Sequence, residues 1–173
     1  MATVTHRGGP LALVSVGLAA FLLFWEDGGR TSHTVYADRL AGGLPTACYG
    51  ITRWTSPVPV VVGEVWSQEK CDDVFRGIVE RTQRRLLECI NVAVQQPVFD
   101  ALTSHAHNFG VDDTCDSQAV VAINDGRIAD GCDLIAQKPN GSPNWSYVAG
   151  VYYQGLQNRR QSERRLCLQG AER

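Results

Sequence analysis

The sequence lacks the marks of several protein classes. Its 173 residues leave no room for a second large catalytic module beside one compact domain. Sixteen basic side chains stand against eighteen acidic ones, for a net charge of -2, so there is no global positive field to track phosphate and nucleic acid is not an expected partner. No Cys-x-x-Cys occurs and no histidine pair has zinc-ligand spacing, so neither a metal nor any other cofactor is expected. No internal repeat is present. The chain also lacks the low hydrophobicity and high charge of disorder: 44% apolar and 20% charged residues supply enough material for a sizeable core.

The N-terminus holds the first positive signal. From Gly8 to Trp25 eighteen residues pass without a charge, close to the length a bilayer-spanning helix needs. His6 and Arg7 precede the run and Glu26 and Asp27 close it, which by the positive-inside bias places the N-terminus in the cytoplasm and the remainder outside. An uncleaved anchor is favoured over a cleaved signal peptide, because Phe21 to Trp25 is bulky where small residues are needed and Val35-Tyr36-Ala37 lies far beyond the run. A buried core helix is the third reading. Six cysteines, an even count, suit an oxidising compartment once the chain is exported.

Residues 28 to 57 are rich in glycine, threonine, serine and proline and read as a small irregular β lobe. The following Val58 to Val65 is β-branched but contains prolines, which fits an edge strand or an extended connection. Ser67 offers an N-cap to a long helix reaching about residue 94, with Cys71, Val74, Phe75, Ile78, Val79, Leu86, Cys89 and Ile90 at helical spacing. Pro97 opens the next helix and Gly110 stops it; Ser117 to Ile123, Arg127 to Ala136 and Gly155 to Leu168 complete the helices. Asn124-Asp125-Gly126 has the chemistry of a turn. The architecture expected is α+β with helices dominating.

Two acids and a hydroxyl occur in order around a glycine-rich turn: Trp25-Glu26-Asp27, then Tyr36-Ala37-Asp38, then Thr46-Ala47-Cys48-Tyr49-Gly50-Ile51-Thr52. Further along come Trp66-Ser67-x-Glu69-x-Cys71, Ala101-Leu102 with Asn108-x-Gly110, Trp145, Gly155-Leu156 with Arg159, Arg160 and Glu163, and Cys167-Leu168-x-Gly170. This ordered set resembles the phage-type lysozymes of glycoside hydrolase family 24, and within them the signal-anchor-release endolysins. The resemblance implies a small β lobe over about 26–66, a linking helix over about 67–94 and a larger helical lobe over about 95–173, preceded by an anchor or first-helix segment 1–25. It implies Glu26, Asp38 and Thr46 as the active site, and an inverting muramidase acting on the glycan strands of peptidoglycan. A monomer is expected, held by residues 8–25 in the host inner membrane and later released to the periplasm. Eleven residues separate Glu26 from Asp38 and seven separate Asp38 from Thr46, longer than the family's usual gaps. Asp27 adjoins Glu26 and cannot lie across a substrate from it.

The chemistry needs such a pair. Cleaving a glycosidic bond takes a protonated carboxyl at the leaving oxygen and an ionised carboxylate on the other side of the sugar. Phe24 and Trp25 beside Glu26 favour the acid, while polar and glycine neighbours favour an ionised Asp38. Two other classes remain: a wall-binding module without catalysis, and a wall peptidase using the Cys48 thiol with His105 or His107. Against the latter, His105 lies on an apolar helix face where a satisfied core histidine is the commoner reading. Asn108 either touches sugar or is a buried amide closing its helix. By proximity, disulfides are expected between Cys48 and Cys71, Cys89 and Cys167, and Cys115 and Cys132. The arginine-rich stretch from Arg159 to Arg165 reads as a solvated helix face, with contact to anionic wall polymer or lipid as the rival.

Overall fold

The computed structural model describes residues 2–27, 31–39 and 41–171; the Asp27 side chain, weighed above as a second acid, lies outside the described set. The chain forms two compact units, one made of the residues up to Leu18 together with those from Thr82 on, the other of Ala19 to Arg81. The fold is α+β, as expected.

The first unit opens with a surprise. The uncharged N-terminal run does not form one helix: its start makes β2 (Gly9–Ala12), which pairs with the preceding β1 (Thr3–His6) as an antiparallel hairpin, and α1 begins only at Val16 and runs to Asp27. The physical reason is local and tertiary together. Gly8, Gly9 and Pro10 are the poorest helix formers, and Leu11 and Leu13 bury alternately at 4% and 1% exposure, a strand's period, within the helical core. Among the described residues no helix is long and apolar enough to cross a membrane.

The rest of this unit is mostly helical: the end of α2 (Gln68–Cys89), α3 (Gln96–Phe109), α4 (Val111–Cys115), α5 (Gln118–Asn124), α6 (Ile128–Ala136) and α7 (Gln154–Leu168). Its core gathers Leu86, Ile90, Phe99, Leu102, Ile123 and Ile135. Helix α2 starts where Ser67 caps it, its hydroxyl accepting the Lys70 N–H, but it stops five residues short of the expected end. There the Asn124 side chain donates to the Cys89 carbonyl and accepts the Asn91 N–H, replacing the helical ladder. A second hairpin, β6 (Tyr147–Val148) and β7 (Val151–Tyr152), turns through Ala149 and Gly150, both at positive φ, and was not anticipated.

The second unit holds an antiparallel sheet of three strands in the order β3 (Ser32–Asp38), β4 (Leu44–Cys48), β5 (Ile51–Thr52). The proline-containing stretch resolves into an extended connection whose end lies along β3, with Val35 and Glu64 bonded through their backbones and Thr34 bridging Val65. Leu22, Val35, Ala47, Ile51, Trp66 and Phe75 are among its buried side chains.

All six cysteines are paired, but not as expected throughout. Cys48–Cys71 holds; the other two expected pairs are replaced by Cys89–Cys115 and Cys132–Cys167. Cys132 sits on the face of α6 that meets α7, so its partner is on α7 and not on the nearer-in-sequence α4.

Candidate active site

The sheet of the second unit sets two of the three candidate residues. Thr46 on the central strand pairs with Tyr36 on one side and Thr52 on the other, and Asp38 pairs with Leu44. Alternate residues of a strand share a face, so Tyr36, Asp38, Thr46 and Thr52 project from the same one, with Asp38 diagonal to Thr46. The chain between Asp38 and Leu44 is tied back to Asp38: the Asp38 carbonyl accepts the N–H groups of Ala41 and Gly43 at 3.2 and 2.7 Å, and its carboxylate accepts the Ala41 N–H at 3.4 Å. Beyond this turn the pairing runs unbroken from Asp38 and Leu44 to Tyr36 and Thr46, and the register shifts only between Tyr36 and Ser32. Asp38 is half-buried; Thr46 is buried, and its hydroxyl donates to the Leu44 carbonyl at 3.1 Å.

Glu26 is the last but one residue of α1 and half-buried. Its Oε2 lies 3.7 Å from the point where a Cβ would stand on Gly50, in the turn joining β4 to β5. Gly50 has φ +75°, a conformation other residues adopt only at a cost. That turn is held rigidly to α2. Cys48 is disulfide-bonded to Cys71, the Tyr49 hydroxyl donates to Asp72 at 2.7 Å, and the Tyr49 ring packs edge-on to Phe75 at 5.2 Å. Gln68 donates to both Tyr49 and Asp72. The strand carrying Thr46 and the turn touching Glu26 are thus consecutive and braced together. This bracing by Tyr49, Gln68 and Asp72 escaped sequence reasoning, for which only the Cys48–Cys71 pairing was a clue.

The remaining candidates fall elsewhere. Asn108 is exposed at the end of α3, which overturns the buried-amide reading. The thiol peptidase has no nucleophile, since Cys48 is oxidised and no cysteine is free. His105 is buried with its Nδ1 2.8 Å from the Thr114 hydroxyl, which itself donates to the Gly110 carbonyl, and its ring packs on Phe109 and Trp145; it is a core histidine bonded through Nδ1, with its Nε2 buried and unbonded among the described residues. His107 is half-buried on the same helix.

Nor is the arginine stretch a solvated face. Arg159, Arg160 and Glu163 are buried at 5%, 0% and 0% exposure. Glu163 Oε1 accepts from Arg160 at 2.6 Å, from Arg159 at 3.3 Å and from the Ser104 hydroxyl at 2.6 Å, while Arg160 stacks on Phe109. Burial pushes the Glu163 carboxyl up and the two guanidiniums pull it down. Arg164 pairs with Asp133 and Arg165 stays exposed, so only the outer arginines face solvent as expected.

A small antiparallel sheet, a helix ending in an acid and a second, helical unit define a lysozyme-like protein. The phage lysozyme family matches residues 28–163, a stretch that includes Asp38 and Thr46 and starts just past Glu26, and the chain belongs to that family. It is accordingly a glycoside hydrolase of the muramidase kind. It is 26% identical over 166 residues to a SAR-endolysin of Enterobacteria phage P21, covering 95% of this chain and 92% of that one. An endolysin from Escherichia coli O157:H7 phage FAHEc1 superposes with a TM-score of 0.75 at 28% identity, covering 91% of this chain and 94% of that one. A phage P22 lysozyme shares the fold at a TM-score of 0.72 and 20% identity, over 91% of this chain and 99% of that one.

Proposed function

We infer that this muramidase acts as a phage endolysin, hydrolysing the β-1,4 bond between N-acetylmuramic acid and N-acetylglucosamine in the host wall. Glu26 protonates the leaving oxygen. Asp38 acts as general base toward a water that Thr46 orients: with its own proton donated to Leu44, the Thr46 hydroxyl offers lone pairs to that water. The reading is of an inverting enzyme, whose two carboxyl groups stand about 6.5–9.5 Å apart to admit the water. The observation that carries it is the sheet register, which puts Asp38 and Thr46 on one face despite the longer turn, with the Glu26 carboxylate against the next turn of the same sheet. Exposed Asn108 is read as a sugar contact.

The uncharged run 8–25, flanked by His6 and Arg7 before it and Glu26 and Asp27 after it, and the likeness to SAR-endolysins support an inner-membrane stage with the N-terminus inside. The hairpin-and-helix form is read as the released, monomeric periplasmic state. While the run lies in lipid, Glu26 is held at the bilayer surface and is not available to the sheet; a tethered form lysing walls at full rate would refute this.

The test is to incubate the soluble chain and its Glu26→Gln variant with peptidoglycan and assay new reducing ends. The variant is expected to lose roughly 10²–10⁴-fold in rate, the span of a removed general acid. Equal release by both overturns the role of Glu26. No release from the parent, with retention on walls, makes the chain a binding module.

A further inference from the structure

The segment between the first hairpin and α1 is fastened by three polar side chains that the proposed reaction does not use. Gln96 grips Ala12 on both sides, accepting its N–H at 2.8 Å and donating to its carbonyl at 3.1 Å. Buried Gln83 accepts the Val14 N–H at 2.8 Å. Buried Asp100 accepts the Ser15 hydroxyl at 2.6 Å through one oxygen and the Gln96 amide at 2.7 Å through the other. Ser15 in turn accepts the Leu18 N–H at 3.0 Å and so caps the first turn of α1.

These contacts are specific. Val14 sits at φ +49°, a conformation a β-branched residue adopts only where its surroundings enforce it, and the Gln83 bond is one such constraint. A buried polar oxygen is costly unless it is satisfied, and here the Gln83 Oε1 and one Asp100 oxygen find their donors in Val14 and Ser15. The Ser15 hydroxyl is fully committed: its proton goes to Asp100 and a lone pair to the helix. It defines the residue at which a helix of twelve residues begins, the helix that ends beside Glu26.

We propose that Gln83, Gln96, Asp100 and Ser15 form a latch that fixes the start of α1 and thereby positions Glu26; they are positioning residues for the muramidase reaction. The inference rests on the reading of Glu26 as the acid. Loosening the latch frays a short helix that has little stability of its own, and the proton donor is displaced while the sheet that carries Asp38 and Thr46 is untouched.

The test compares Ser15→Ala and Ser15→Thr in the full soluble chain, measuring kcat and KM on peptidoglycan together with amide hydrogen exchange. Ser15→Ala should lower kcat roughly tenfold to a hundredfold with KM unchanged, the order of loss that a misplacement of about an ångström causes. Exchange should accelerate over residues 16–27 and not over α3 to α7. Ser15→Thr, which keeps the hydroxyl and the cap, should restore both. Parent-like kcat and α1 protection in Ser15→Ala overturn the proposal. So does a loss spread over every helix, which marks mere destabilisation. Should Ser15→Ala fail to fold, Gln83→Ala replaces it under the same readouts. Glu26→Gln separates the two readings: if that variant stays active the acid assignment fails, while the exchange over α1 still decides whether the latch exists.

Discussion

Replacing Cys132 and Cys167 together by alanine should be more damaging than the same replacement of Cys89 and Cys115. The bond closes a loop of 35 residues, against 26 for Cys89–Cys115 and 23 for Cys48–Cys71. Loop-closure entropy converts these into about 3.8, 3.5 and 3.4 kcal/mol at 25 °C, too close to rank them. Burial separates the Cys132–Cys167 bond from the Cys89–Cys115 bond, while Cys48 and Cys71 are buried as well. Cys132 and Cys167 are both fully buried in the helical core, whereas Cys89 and Cys115 are only partly buried against it. Removing two core sulfurs adds roughly 1 kcal/mol of lost packing, for a total near 5 kcal/mol. For a chain of this size that is a fall in Tm of roughly 10–20 °C. Urea unfolding of the Cys132→Ala, Cys167→Ala chain beside the Cys89→Ala, Cys115→Ala chain checks it. A smaller cost for the Cys132 pair would refute the argument from burial. Two reactive thiols in the denatured Cys132→Ala, Cys167→Ala chain would refute the pairing itself.

Gly131 faces Ile123 so closely that an added Cβ would stand 2.4 Å from its Cγ1 and 2.7 Å from the Ala119 carbonyl oxygen. Gly131→Ala should therefore cost about 1–3 kcal/mol by overpacking, despite the better helix propensity of alanine, and a thermal melt showing stabilisation would exclude that packing. Burial, and then Arg160 and Arg159, hold His105 well below its ordinary value of 6.5. The unfolded chain takes up a proton there that the native chain refuses, so the stability is present above pH 6.5 and is lost as pH falls toward the depressed native value. The slope approaches about 1.4 kcal/mol per pH unit. Urea unfolding at pH 8, 6 and 5 should show this fall in the parent and a shallower one in His105→Gln; equal slopes would remove His105 as its source.

Much of the fold was legible because its signals are local. Ser67 as a cap, Pro97 and Gly110 bounding α3, and the Asn124-Asp125-Gly126 turn between α5 and α6 all act within one turn of chain. The order of Glu26, Asp38 and Thr46 was equally visible. What misled was local plausibility without a partner. The uncharged run looked like one helix because nothing nearby says that Leu11 and Leu13 alternate into a core built by α2 and α3. Arg159, Arg160 and Glu163 have the spacing of surface ion pairs, and only Ser104, 59 residues from Glu163 in sequence, marks them as interior.

By itself the sequence determined the class of fold, most helix starts, the even set of cysteines and the order of the residues proposed for the active site, since periodicity, caps and turn chemistry are encoded within a few neighbours. Only the tertiary structure decided which cysteine meets which, which charges are buried, where α2 stops and that Asp38 and Thr46 share a face. Each of these depends on groups tens of residues apart being brought together by packing, and no local pattern carries that information.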